Sequence, residues 1–129
     1  MPITLELRED NRVLYGVLVD PLSALDMNNS VVEQIPIYNS AVGKLHQLAN
    51  VKGVTRLPSG ILGIRRGSPV FNHPNRGQLV LVGAQGFVRN IGEVLMKIAR
   101  FESVKFFDAE PEGWEYLRKV IADEAQTQR

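Results

Sequence analysis

No cysteine occurs in this chain of 129 residues. Its absence excludes disulfides, thiol nucleophiles and thiolate metal sites together. Only two histidines, His46 and His73, are present. Neither has carboxylates beside it at ligand spacing, so no metal or other cofactor is expected. Apolar runs stop after a few residues, as in Leu79-Val80-Leu81-Val82, far short of the roughly 20 residues of a spanning helix. The start, Met1-Pro2-Ile3-Thr4-Leu5-Glu6, has no basic segment leading into an apolar one. No secretory signal is therefore expected, and a cytoplasmic location is. Internal repeats and low-complexity stretches are also missing.

Negative charge is absent where it would normally be scattered. Residues 1–33 hold six acids and two bases, residues 34–92 hold seven bases and no acid, and residues 93–129 hold eight acids and six bases. The formal net charge is only +1, which does not suit a bulk polyanion binder. What is present is an ordinary globular composition, 44% apolar, in a length that fits one domain with one core.

Ile3, Leu5 and Leu7 alternate with Thr4, Glu6 and Arg8, the pattern of a strand with one buried face. Glu9-Asp10-Asn11-Arg12 reads as a turn, and Val13–Val19, apolar on both faces, as the more interior strand of a hairpin. Ser23–Tyr38 reads as a helix with Leu25, Val32 and Ile35 among its apolar positions, ended or kinked by Pro36. Lys44–Val51 fits a helix or a strand equally well. Ser59–Arg66 is short and apolar-spaced, Phe71–Gly77 is a loop, and Gln78–Val82 is a buried strand. Phe87, Ile91, Leu95 and Ile98 mark one face of a helix. Val104–Phe107 is a further strand. Pro111 opens a last helix with the stripe Trp114, Leu117, Ile121. Strands alternating with helices after a hairpin imply a single α/β domain over residues 1–124 with a mixed sheet, and a polar, frayed tail over residues 125–129.

The stretch from His46 through Asn50, Gly53, Leu57-Pro58-Ser59-Gly60 and Ile61-Leu62-Gly63-Ile64 resembles the signature of STAS domains, the family of anti-sigma-factor antagonists and sulfate-transporter cytoplasmic domains. Gly77–Ala84, Phe87–Ile91 and Val104–Asp108 are similar to that family's later strand, helix and strand. The resemblance covers nearly the whole chain and is nearest the bacterial stand-alone, STAS-like branch. It implies that Lys44–Val51 is a strand and puts Ser59 at the position of the family's regulatory, phosphorylated serine. Pro58 stands where the family has an acidic residue, and one serine of the usual pair is missing. These departures count against an antagonist-type kinase, not against the fold.

Each candidate residue has a plain reading beside the functional one. Ser59, followed by Gly60, suits a helix N-cap; phosphate there would also be favoured by the free N–H groups and the dipole. Gly83-Ala84-Gln85-Gly86, with Asp108 after the next strand, imitates a dinucleotide site, but the glycine spacing fits a tight turn better, and Asp108 a strand-end cap. His46 fits a strand position and His73 an exposed loop. Ser59 and His73 lack the elbow and acid of a hydrolase. The aromatics Phe101, Phe106, Phe107, Trp114 and Tyr116 suit a core, and Phe71 an ordinary exposed loop position.

The resulting expectation is a non-enzymatic regulatory module of STAS-like type that binds a protein partner, kinase-like or another regulator, and is switched at Ser59. If the topology is as inferred, Lys52, Arg56, Ser59 and Arg89 gather where the central strands finish and helices begin, with Gly60, as the better anion site. Lys44, Arg65, Arg66 and Arg76 fall toward the opposite end as a second basic patch. With no aromatics interleaved among the bases, nucleic acid is not an expected partner. A carrier or sensor of a lipid or other small apolar ligand is the alternative, with glycines at 60, 63, 67, 83, 86 and 92 leaving space. A homodimer through an exposed strand edge is compatible with the pattern.

Overall fold

The computed structural model describes residues 2–56, 73–84, 86, 90 and 104–127. The hairpin forms where the alternation places it. Strands β1 (Ile3–Arg8) and β2 (Val13–Val19) pair antiparallel from Ile3↔Leu18 to Arg8↔Val13. Strands β3 (Leu45–Gly53), β4 (Arg76–Val82) and β5 (Val104–Phe107) then add in parallel. The five form one mixed sheet in the order β1-β2-β3-β4-β5. The ambiguous segment around Lys44–Val51 is thus a strand, and an interior one: Leu45, Leu48, Ala49 and Val51 are all buried. A parallel strand between two neighbours buries both faces, which is why its sequence has no clean alternation.

Helix α1 (Ala24–Asn39) and helix α2 (Glu110–Thr127) cover the sheet. Successive residues of β2 separate their territories. Val13 packs with Leu48, Val80, Val82, Trp114 and Leu117 under α2, whereas Leu14 packs with Tyr38 and Leu45 under α1. The stripe Trp114, Leu117, Ile121 is the inward face of α2, as its spacing predicts. Gly113 lets the helix approach, since a Cβ there would lie 3.0 Å from both Val80 and Val82 side chains. No helix among the described residues is long and apolar enough to cross a membrane.

The helix ends add detail. Of the two effects expected of Pro36, an end or a kink, the helix does not end at Pro36 itself. The helix runs on to Asn39 and closes with Ser40 N–H on Pro36 O at 3.0 Å. Pro36 is exposed, so the bond it cannot donate is lost on the solvent side. The buried positions of α1 are Ser30, Gln34 and Tyr38, while Leu25 and Val32 are 67% and 65% exposed. At the other end of the chain, α2 continues past Glu124 to Thr127. The elements expected over Ser59–Arg66 and Phe87–Ile98 lie outside the described residues, except for Asn90.

Candidate functional site

All parallel strands finish at one edge. Asp20, just past β2, accepts the Thr55 N–H at 3.0 Å and the Thr55 hydroxyl, tying the end of β2 to the segment after β3. Lys52 N–H donates to Asn50 Oδ1 at 3.0 Å, which turns the chain at the end of β3. Gly83 follows β4 with φ +81, and a Cβ there would fall 2.9 Å from the Lys52 Cβ. Its N–H donates to Phe107 O at 3.0 Å. Gly83 and Gly86 both have positive φ, which matches the tight-turn reading of that segment.

Lys52 and Arg56 are exposed at this edge, and neither side chain pairs with an acid among the described residues. Ser59, Gly60 and Arg89, expected beside them, lie outside the described residues, as do Arg65, Arg66, Phe71 and Phe101. Asp108 stands exposed just after β5, at the same end.

Lys44 and Arg76 sit at the opposite end, where β3 and β4 begin. Lys44 Nζ donates to Pro74 O at 2.8 Å. Arg76 is not on a solvated face. It is half-buried beside Tyr38, where burial lowers the guanidinium's proton affinity and the tyrosine works against that. Burial in turn pushes the Tyr38 hydroxyl up to about 12. His73 is not an exposed loop residue either. It is half-buried, its Nε2 2.8 Å from Asn39 Oδ1 and its Nδ1 accepting the Asn75 N–H at 3.0 Å. The ring also lies 5.5 Å from that of Tyr38.

Two polar clusters under α2 have no counterpart in the sequence reading. At the carboxyl end of the strands, Glu110 Oε2 accepts from Tyr15 Oη at 2.5 Å and Asn50 Nδ2 at 2.6 Å, and Oε1 accepts from Trp114 Nε1 at 3.1 Å. Burial opposes ionisation of this carboxyl, but the three donors outweigh it and hold it below the ordinary carboxylate range. Burial and the hydrogen bond to Glu110 raise the Tyr15 hydroxyl. At the amino end, His46, only 2% exposed, accepts the Gln78 N–H on Nδ1 at 2.8 Å. Its Nε2 lies 2.6 Å from Glu124 Oε1, and Glu124 Oε2 accepts from Arg12 Nη2 at 2.6 Å. Both clusters join α2 to the sheet. Among the described residues no three His, Cys, Asp or Glu converge as a metal would need.

A groove of about 320 Å³ opens between the β1–β2 turn and the end of α1, lined by Leu7, Asn11, Ile37, Ala41 and Leu45 among others. Comparison with protein-family models, curated proteins and solved structures finds no match to this chain.

Proposed function

We propose that the chain is a non-enzymatic regulatory module that docks an acidic face of a protein partner at the carboxyl edge of its parallel strands. The observation that carries this reading is the pair Lys52 and Arg56, exposed together after the central strand β3. The carboxyl edge is where open parallel sheets collect their binding loops. Ser59 follows Arg56 by three residues, and the STAS-like resemblance makes it the switch: a phosphate there adds negative charge close in sequence to Arg56 and opposes an acidic partner. The missing family acid at Pro58 turns the reading toward a regulator other than an antagonist-type kinase.

Affinity capture from the native host tests it, with the unaltered chain, Ser59→Asp, and Lys52→Glu combined with Arg56→Glu. A partner held by the unaltered chain and lost by both variants is the expected result. A partner retained equally by all three would sink the mechanism.

A second reading, a carrier of a small apolar ligand, draws on the groove beside Leu7 and Ile37. Its volume is at the lower end of ligand sites. Native mass spectrometry separates the two, since a carrier retains a stoichiometric ligand and a docking module gives the bare mass.

A further inference from the structure

His46 has one nitrogen committed to β4 and the other aimed at α2, and the two commitments differ in quality. Nδ1 accepts the Gln78 N–H at 2.8 Å, so its lone pair is occupied and the single proton of the neutral ring is on Nε2. Nε2 comes within 2.6 Å of Glu124 Oε1, but poorly aligned for a hydrogen bond. Gly77 leaves room for this placement, because a Cβ there would overlap Nδ1 and Cε1 of the ring. Other charges face the ring from each neighbouring segment: Arg12 before β2, Lys44 before β3, and Glu124 on α2. From β4 the ring meets the Gln78 amide; the Arg76 guanidinium lies instead by Tyr38.

We propose that His46 is a proton-operated switch between β4 and α2, the neutral ring bonded to Gln78 and the doubly protonated ring turned onto Glu124 with Gln78 released. The chemistry follows from the donor count. A second proton occupies the lone pair that Gln78 needs and sets two N–H groups against each other. The same proton makes the ring a cation 2.6 Å from a carboxylate, which rewards alignment with Glu124. Burial, with Arg12 and Lys44 beside it, opposes the charge, and Glu124 favours it; burial prevails, so switching falls below the ordinary value of 6.5. The released element is the entry to β4, which joins the His73–Asn75 turn to the sheet. The switch lies at the end of the sheet opposite Lys52 and Arg56 and does not depend on the docking reading.

Nitrogen and proton NMR of the intact chain through an acid titration tests it, with His73 as the internal comparison. At neutral pH His46 should show the Nε2–H tautomer. Its second proton should bind below pH 6.5, and protection of the Gln78 amide, taken against its intrinsic exchange rate at each pH, should fall at least tenfold with the same midpoint. In Glu124→Gln the ring loses its destination, so proton affinity should fall about tenfold and Gln78 protection should persist to lower pH. An Nδ1–H tautomer, a Gln78 amide indifferent to the titration, or an unchanged midpoint in Glu124→Gln would each overturn the proposal.

Discussion

His46 lies against Gly77 at the start of β4, and any side chain at 77 would press into the ring. Gly77→Ala is therefore expected to cost about 1–3 kcal/mol of unfolding free energy, the usual penalty for overpacking, as read by urea denaturation. Backbone handedness is the second constraint at this scale. Glu9, Asp10 and Asn11 have φ of 55, 56 and 64, three left-handed residues in succession with no glycine among them. Asp and Asn tolerate this region better than most residues, and a β-branched side chain tolerates it worst. Asp10→Val should lose about 1 kcal/mol, whereas Asp10→Gly should lose nothing. The turn's composition was legible as a turn; its handedness was not. Arg12 N–H closes it locally on Arg8 O and Glu9 O, while its side-chain contacts, Glu9 Oε1 to Arg118 Nε at 3.0 Å and Arg12 to Glu124, reach the far end of the chain.

Helix α2 is positioned at both ends by carboxylates on its inner side, Glu110 at the first turn and Glu124 near the last. Replacing the Glu110 carboxylate by an amide removes the charge that Tyr15, Asn50 and Trp114 share and sets an NH₂ against one of those donors. Glu110→Gln should cost about 1–3 kcal/mol, visible as a lower Tm. The pH dependence has a definite sign. The folded state holds this carboxyl below its unfolded value of 4.5. Its stabilisation is thus present above pH 4.5 and is lost as pH falls through the folded value. In Glu110→Gln that part of the acid sensitivity should disappear from a stability-against-pH series. Helix α1 is the contrasting case. Its start is encoded locally, by Ser23 and Asp26 exchanging hydrogen bonds as a capping box. Which side it buries is not, because Gln34 donates to Ser30 at 3.0 Å beneath the helix while Leu25 and Val32 face out.

At the scale of the whole molecule, the described bases of the acid-free stretch fall at two ends of the sheet. Lys52 and Arg56 are exposed at the carboxyl edge, while Lys44 and Arg76 at the amino edge engage Pro74 O and Tyr38. Exposed side chains far from any cap or core contact contribute little to stability. Lys52→Glu with Arg56→Glu should therefore shift unfolding free energy by no more than about 0.5 kcal/mol per site, so that any loss of partner binding is a surface effect. Chemical denaturation beside the capture experiment checks this.

The alternation of Ile3, Leu5 and Leu7, the apolar runs of β2 and β4, and the Trp114, Leu117, Ile121 stripe were enough to establish the hairpin, the mixed α/β order and the last helix. Such signals lie within a few residues of one another, and hydrophobic periodicity reports them directly. The polar clusters were not legible, because their members are brought together from distant positions. Tyr15 and Asn50 meet Glu110 across 95 and 60 residues, and Arg12 meets Glu124 across 112. His46 reads in sequence as one more position on a strand. It became a buried, doubly committed ring only when β4 supplied an amide to one nitrogen and α2 a carboxylate to the other.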